Sequence, residues 1–228
     1  MRKPIQLLVI FGLACAAALA QVAGDANQGY KTPEGRANVA KALGDPARAE
    51  RQKPRDIVEA LDLKPGSTVA DVGTGVGFML PYLSQAVGDT GHVIAEDIQS
   101  DFLDKAKTKV QLNRLKNIQF VLGTDRDPML PADTLEGVLV LDVYHHFDYP
   151  EAMLQHIHDS LLSDGKLVIV EYFKRKGAMP NPDPDLALRH IRLDQDGLIE
   201  EVESSGFRLV SKQDLVPNSQ YIVVFERK

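Results

Sequence analysis

Short apolar runs alternate with amphipathic stretches along most of the chain. Two of the runs, 138–141 and 167–170, are apolar at every position, as expected of strands that are covered on both faces of a parallel sheet. The pattern predicts strands at 68–72, 92–96, 118–122, 137–141, 166–171, 207–215 and 220–226, and helices at about 54–61, 78–87, 100–115, 150–162 and 195–205. This alternation is typical of a doubly wound α/β fold.

Two segments depart from this pattern. Residues 21–51 are polar, and we expect them to form a mobile arm with one or two short helices. Residues 174–190 contain Pro180, Pro182 and Pro184, which predict a loop without regular structure because proline lacks a backbone donor and has a fixed φ. The rest of the 228-residue chain is long enough for one α/β domain.

The first 20 residues have the features of a secretory signal peptide. Two basic residues precede an apolar run that ends at Ala18-Leu19-Ala20, a small-x-small cleavage pattern, and a second possible cut follows Ala23. The run is shorter than the roughly 20 apolar residues of a membrane-spanning helix. We therefore expect export to the periplasm or the medium, without stable membrane insertion after cleavage. Lipid anchoring at Cys15, the only cysteine, is the alternative.

The charge of the chain argues against a nucleic-acid partner. The net charge is −6, and removal of Arg2 and Lys3 with the leader leaves 24 basic against 32 acidic residues, a net charge of −8. A surface of that charge repels phosphate backbones. The short basic run at 174–176 is expected to be a solvated loop.

The first predicted strand runs directly into a glycine-rich turn. Residues 69–78 read VADVGTGVGF. Glycine adopts backbone angles that other residues avoid and lets a ligand lie against the main chain, and the free N–H groups of a following helix point at such a ligand. Pro81 is tolerated in a first helical turn, so the helix is expected to begin near Phe78 or Met79. The turn predicts a nucleotide-cofactor site.

Acidic residues follow the ends of the predicted strands. Asp97 ends the second strand 24 positions after Gly73, about the spacing at which a nucleotide fold offers a carboxylate to ribose hydroxyls. Ligands of a doubly wound sheet bind beyond the carboxyl ends of its strands. The strand-end acids are Asp71, Asp97, Asp125, Asp142 and Glu171.

With these residues in place, the chain resembles the class I S-adenosylmethionine-dependent methyltransferases. Within that class it is similar to small-molecule methyltransferases with a His-His segment after the fourth strand, here LVLDVYHHFDYP at 139–150. The phrase LLSDGKLVIVEY at 161–172 is similar to the helix, turn and fifth strand that follow. The resemblance implies a Rossmann-like methyltransferase domain over residues 52–228, with a mostly parallel seven-stranded sheet and an antiparallel last strand.

The resemblance implies that the glycine turn binds S-adenosylmethionine. Asp71 and the backbone at Gly73 and Gly75 would hold the methionine moiety, and Asp97 would accept hydrogen bonds from both ribose hydroxyls. Ile98 would pack against the adenine. The full implied cofactor set is Asp71, Gly73, Thr74, Gly75, Gly77, Asp97, Ile98, Asp125 and Asp142.

The assignment of the adenine contact has neighbouring alternatives. Asp125 would contact the adenine amino group, but the sequence Gly123-Thr124-Asp125 differs from the commoner arrangement in which the acid directly follows the glycine. Thr124 and Arg126 are therefore the alternatives at this point of the site.

Methyl transfer is an in-line displacement, so the protein mainly aligns the acceptor and excludes water. A base is needed only if the acceptor carries a proton. Tyr144, His145 and His146 follow the strand that should end beside the methyl group, and histidine accepts protons near neutral pH. These three are the catalytic candidates. The alternative is that one histidine caps or packs the next helix while the other faces solvent.

No metal site is expected from the sequence. His156 and His158 are two positions apart on a predicted helix, so they cannot share a face. Neither this pair nor the His145-His146 pair lies in a segment rich in carboxylates or bearing cysteine.

We expect a small-molecule acceptor, in a site that the loop at 174–190 shapes. The identity of the acceptor, the methylated atom and the oligomeric state stay open. One alternative is an NAD(P)-dependent Rossmann oxidoreductase, although Phe78 stands where its GxGxxG fingerprint needs a third glycine. Another is a non-catalytic module that binds the cofactor.

Export conflicts with the cofactor, because S-adenosylmethionine is made in the cytosol. A start codon other than ATG near Val22 or Val39 would give a chain without the leader and is the alternative.

Overall fold

The computed structural model describes residues 22–228; the expected signal peptide and Cys15 lie outside the described residues. The helices are α1 (Pro33–Leu43), α2 (Arg48–Gln52), α3 (Pro54–Leu61), α4 (Leu80–Val87), α5 (Ser100–Leu112), α6 (Pro150–Ser160), α7 (Leu186–His190) and α8 (Gln195–Ser204). The strands are β1 (Thr68–Val72), β2 (His92–Asp97), β3 (Ile118–Leu122), β4 (Leu135–Leu141), β5 (Leu161–Tyr172), β6 (Phe207–Val216) and β7 (Gln220–Arg227). Short 3₁₀ turns lie at Ala26–Tyr30 and Tyr144–His146.

The seven strands form one sheet in the order β3-β2-β1-β4-β5-β7-β6. Strands β1 to β5 pair in parallel, and β7 runs antiparallel to both of its neighbours. The predicted doubly wound α/β fold with an antiparallel last strand is confirmed. Strand order reverses between β1 and β4, which places a ligand crevice at their carboxyl ends.

Apolar side chains cover both faces of the sheet. In β4, Val138 and Val140 pack with α6 and α8 on one face. Leu139 and Leu141 pack with α3, α4 and α5 on the other face. A strand that buries both sets of alternate side chains has to be apolar throughout, which explains the continuous run in the sequence.

Several element boundaries differ from the prediction. Helix α4 begins at Leu80, with Pro81 in its first turn, because Gly77 still has a φ of +78° and the chain becomes helical only after the turn. Strands β4 and β5 begin earlier than predicted. The loop expected at 174–190 is not irregular throughout: α7 forms once the prolines have ended at Pro184.

The N-terminal arm is packed against the domain, contrary to the expected mobile segment. Tyr30 meets Phe102 edge to face at a centroid distance of 5.9 Å, and Arg36 pairs with Asp101 at 2.8 Å. The arm thus lies over the carboxyl ends of the strands. Within residues 22–228, no helix combines the length and apolar character needed to cross a membrane.

Candidate functional site

A cavity of about 310 Å³ opens beyond the carboxyl ends of β1, β2 and β4. Its volume lies in the range of small-molecule sites, roughly 300–1,000 Å³. The site is where the strand order reverses, as the fold rule requires. The residues from the sheet side that line it include Asp71, Gly73, Thr74, Gly75, Glu96, Asp97, Ile98, Thr124, Asp125, Asp142 and His146.

The glycine turn forms one wall of the cavity. Gly73 and Gly75 have φ of +70° and +56°. A Cβ on Gly73 would lie 2.6 Å from both methyl carbons of Val143, and a Cβ on Gly75 would lie 3.1 Å from a methyl carbon of Leu43. A side chain at Gly73 would therefore collide with Val143, and one at Gly75 would displace Leu43.

Gly77 has a different role from the one implied by the resemblance. It does not line the cavity. A Cβ at Gly77 would lie 2.9 Å from Leu80 and 3.2 Å from the Cβ of Ala106, so its small size lets the turn pack against α4 and α5. Its φ of +78° also favours glycine.

Asp71 and Thr74 form a buried pair at the end of β1. The Thr74 hydroxyl donates to Asp71 Oδ2 at 2.7 Å. Burial raises the pKa of the Asp71 carboxyl to about 6, against the opposing effects of the Thr74 hydroxyl and the Arg48 guanidinium. A cationic ligand group beside Asp71 would favour its ionised form and lower this pKa.

Asp97 holds the turn between β2 and α5. Its Oδ2 accepts from the Gly75 amide at 2.9 Å and its Oδ1 from the Gln99 amide at 2.8 Å. Burial raises its pKa to about 6. Each carboxylate oxygen keeps a second lone pair, which suits the predicted ribose contact. The next residue, Ile98, is 47% exposed on the cavity wall, where it offers an apolar surface to a flat ring.

Glu96 is a site residue that the sequence reasoning missed. It is 1% exposed, accepts from the Gly73 amide at 3.1 Å through Oε2, and has no hydrogen-bond partner for Oε1 within residues 22–228. Burial first, and then the neighbouring Asp97, raise its pKa well above the usual value. An acid within an otherwise apolar strand, next to the predicted ribose ligand, was the available signal.

We expect Glu96→Gln to raise the melting temperature at pH 8 by several degrees. A carboxyl whose pKa is raised on folding holds its proton more tightly in the folded state, so its contribution to stability is lost as pH rises through the folded pKa. The amide does not titrate, so the gain over the wild type should shrink towards pH 5. Thermal unfolding of the cofactor-free protein at both pH values measures this.

Glu136→Gln is the matched control, because the half-exposed Glu136 also accepts one backbone amide, that of Thr68 at 2.7 Å. A Glu96→Gln protein that melts below the wild type at pH 8 would contradict the expectation.

Asp142 anchors a polar network between the arm and the sheet. It accepts from Gln52 Nε2 at 2.6 Å and Gln220 Nε2 at 2.5 Å, and lies 3.4 Å from Arg48 Nη2. Burial raises its pKa to about 6, opposed by Arg48. The Arg48 guanidinium also stacks 4.3 Å above the Phe78 ring, so the arm places a cation at the cavity wall.

The structure separates the three catalytic candidates. Tyr144 does not line the cavity: its hydroxyl donates to Glu201 at 2.7 Å, and its ring packs in the core cluster that includes residues of α6 and α8. His145 is buried with Nδ1 2.6 Å from Glu171 Oε2, also outside the cavity lining. His146 alone of the three lines the cavity.

His146 is held by the arm. Its Nδ1 lies 2.9 Å from Asn27 Oδ1 and its Nε2 lies 3.3 Å from the Tyr30 hydroxyl. Burial, followed by the neighbouring His145 and His190, lowers its pKa well below the usual value. The imidazole is therefore neutral near pH 7.

The wall expected to face the acceptor, here called the acceptor wall, is formed by other residues than predicted. No residue of the loop at 174–190 lines the main cavity; the loop contributes instead to a second pocket beside it. The arm takes its place, with Asn27, Tyr30, Lys31, Leu43 and Arg48. Of the three adenine candidates, Thr124 and Asp125 line the cavity, while the Arg126 guanidinium stacks 3.4 Å above the Tyr149 ring.

The residues present fit a nucleoside cofactor. Gly73 and Gly75 line the cavity with main chain that carries no side chain, and Glu96 Oε1 is a buried polar atom without a partner among the described residues. Asp71 and Asp97 add carboxylates that can face an ammonium group and hydroxyl donors.

Comparisons with known proteins agree with this geometry. Residues 70–169 match a family model described as a methyltransferase domain. A crystal structure of an S-adenosylmethionine-dependent methyltransferase from Aquifex aeolicus is 27% identical with a TM-score of 0.76, covering 84% of this chain and 98% of that one. Residues 70–169 are thus similar to a methyltransferase domain, and this similarity indicates S-adenosylmethionine as the cofactor.

Curated relatives differ in what they methylate. The ubiquinone/menaquinone biosynthesis C-methyltransferase UbiE of Vibrio campbellii is 26% identical over 121 residues, 53% of this chain and 47% of that protein. The tRNA (adenine(57)-N(1)/adenine(58)-N(1))-methyltransferase TrmI of Methanocaldococcus jannaschii is 37% identical over 78 residues, 32% of this chain and 28% of that protein. The matched part spans half or less of these relatives, so they indicate the domain and leave the acceptor open.

Proposed function

We propose that the chain transfers the methyl group of S-adenosylmethionine to a small-molecule acceptor by in-line displacement. The observation that carries this is the shared cavity: Asp71, Asp97 and the glycine turn line the same space as polar groups of the arm. A cofactor site alone would need no such second wall. Bound S-adenosylmethionine supplies an electrophilic methyl group on a sulfonium.

The chain's own residues bind, orient and exclude water. Asp71 is placed to accept from an ammonium group, and Asp97 to accept from two ribose hydroxyls. The arm covers the cavity, with Arg48 held by Asp142 and Phe78. A covered site keeps water from competing with the acceptor and fixes the acceptor's approach, which is the main protein contribution to this reaction.

The proposed acceptor is small and not a nucleic acid. The arm covers the cavity, which limits the size of the acceptor. Two cationic side chains line the cavity, Lys31 and Arg48, and Arg48 is already paired with Asp142, so few positive charges are available to phosphates. The net charge of −6 opposes the approach of a phosphate backbone. This distinguishes the proposal from the tRNA activity in the name of the archaeal relative.

If the acceptor carries a proton, we propose His146 as the base. It lines the cavity, and with Nδ1 donating to Asn27 its neutral imidazole accepts at Nε2, where an acceptor would take the position of the Tyr30 hydroxyl, now 3.3 Å away. Tyr144 and His145, held by Glu201 and Glu171, act in this proposal as supports of the segment.

A screen with methyl-labelled S-adenosylmethionine tests the function. Phenols, thiols, amines, activated carbon acids and bulk tRNA are incubated separately with the full chain, with Asp97→Ala as the negative control. We expect label on a small acceptor, and much less with Asp97→Ala when the cofactor is kept near its wild-type dissociation constant. Transfer to tRNA alone would contradict the proposal. Cofactor binding without transfer to any class would favour the non-catalytic module.

Export of the chain is also part of the proposal and rests on the sequence of residues 1–20. Cell fractionation with N-terminal sequencing tests it. The mature protein should begin after Ala20 or Ala23 outside the cytosol, whereas an unprocessed cytosolic protein would refute export.

A further inference from the structure

Three imidazoles meet beside the cavity, under the N-terminal arm. The ring centroids of His145 and His146 are 4.1 Å apart, those of His145 and His190 are 4.9 Å apart, and those of His146 and His190 are 5.4 Å apart. One ring nitrogen of each lies within 4.8 Å of one from each of the others. The two adjacent histidines come from the 3₁₀ turn after β4, and the third from the end of α7.

Two of the rings are held in the orientation that metal ligands use. His145 Nδ1 lies 2.6 Å from the Glu171 carboxylate, which accepts its hydrogen bond and leaves Nε2 with a free lone pair. His146 Nδ1 lies 2.9 Å from Asn27 Oδ1, and the Asn27 amide donates to His146 O and to Asp148, which fixes the oxygen as the acceptor. A metal at His146 Nε2 would displace the Tyr30 hydroxyl, which lies 3.3 Å away. Metal-bound histidines characteristically donate their other N–H to a carboxylate or an amide oxygen.

His190 completes the cluster. Neither of its ring nitrogens has a hydrogen-bond partner among residues 22–228, although the side chain is half-buried against the other two rings. Its ring nitrogens are not among the buried polar atoms without partners, so they stay open to solvent and available to an ion.

The surrounding charges permit a cation. Arg192 is paired with Glu201 and Arg189 with Asp183, while the Lys174 ammonium donates to the Arg192 carbonyl. The charged group in direct contact with the cluster is the Glu171 carboxylate. A divalent ion here would therefore face one adjacent carboxylate and cations that already have partners.

We propose that His145, His146 and His190 bind one first-row divalent transition metal, with zinc as the reference ion. Imidazole suits zinc, copper and nickel, and three histidines with an open fourth position form a recognised zinc geometry. Tetrahedral ligation at about 2.0–2.1 Å places nitrogens about 3.4 Å apart. The three nitrogens lie within 4.8 Å of one another, so ligation requires the imidazoles to close in by up to about 1.4 Å.

The site does not rest on methyl transfer, and it departs from the sequence expectation of no metal. That expectation considered the histidine pairs separately, whereas the fold brings His190 onto the His145-His146 pair. An imidazole that ligates a metal through Nε2 has no lone pair for a proton, so metal binding and a base role exclude each other at His146.

Calorimetry of the full chain, without a histidine tag and after treatment with chelator, tests the site. We expect one Zn²⁺ per chain with micromolar or tighter affinity, no comparable binding of Mg²⁺, and a rise in melting temperature on adding Zn²⁺. His190→Ala should weaken Zn²⁺ binding at least about tenfold and abolish the thermal shift.

His156→Ala is the matched control, since His156 is an exposed imidazole near a carboxylate, 3.7 Å from Asp127. Binding of S-adenosylhomocysteine checks that each variant is folded, so failure of the metal site is separable from failure of the cofactor site. The proposal is overturned if the wild type binds no Zn²⁺, if His190→Ala binds it as tightly, or if His156→Ala loses as much.

Discussion

We expect Asp97→Ala to weaken binding of S-adenosylhomocysteine by about 100-fold or more while the protein stays folded. Hydrogen bonds to a charged group contribute about 1.5–3 kcal/mol each, and we propose that this carboxylate accepts two from the ribose. Its loss leaves the Gly75 and Gln99 amides to water at the cavity wall, so we expect a small change in stability. Calorimetry and thermal unfolding measure the two effects.

Asp104→Ala is the control, because Asp104 is an exposed acid on the helix that follows and pairs only with Lys107. Asp97→Asn keeps an acceptor for the turn and gives a second reading if the alanine variant unfolds. Equal affinity in Asp97→Ala and the wild type would show that Asp97 does not bind the cofactor.

The affinity for S-adenosylhomocysteine should also fall as pH is lowered through 6. Burial raises the pKa of both Asp71 and Asp97 to about 6, so both carboxylates lose their charge in this range.

Gly73→Ala should destabilise the protein by about 2–5 kcal/mol and abolish cofactor binding. A residue other than glycine at φ +70° costs about 1–2 kcal/mol, and a Cβ 2.6 Å from the Val143 methyl carbons adds an overpacking cost of about 1–3 kcal/mol. To relieve the contact with Val143, the backbone at position 73 has to shift, and this backbone is the part that would face the cofactor. Denaturant unfolding and calorimetry with S-adenosylhomocysteine measure both losses.

Gly177→Ala separates the two causes. Gly177 has a φ of +72° and no atom within 4 Å of an added Cβ, so only the conformational cost applies there. Adding Val143→Ala to Gly73→Ala should recover part of the packing cost, which a double-mutant cycle detects. Equal losses in Gly73→Ala and Gly177→Ala would show that the contact with Val143 has no effect.

The fold and the cavity wall formed by the glycine turn could be predicted because the sequence patterns that indicate them are local. The turn at 69–78 and the acid at the end of β2 lie within one β-α-β unit, and the fold rule brings strand ends together. Burial on both faces leaves the continuous apolar runs of β4 and β5. These features need no knowledge of distant contacts.

The acceptor wall could not be predicted because it depends on long-range packing. Tyr30 reaches His146 across 116 positions, and Arg48 reaches Asp142 across 94. The polar arm has no periodic hydrophobic pattern from which these contacts could be predicted. For the same reason the sequence placed Tyr144 at the reacting group, whereas Glu201, 57 positions away, holds its hydroxyl outside the cavity.

Calorimetry of the wild-type chain with S-adenosylhomocysteine and, separately, with NADH distinguishes a methyltransferase cofactor site from a nicotinamide site. We expect one S-adenosylhomocysteine to bind per chain, with binding lost in Gly73→Ala and weakened in Asp97→Ala, and no comparable heat from NADH. Tight binding of NADH without binding of S-adenosylhomocysteine would contradict it.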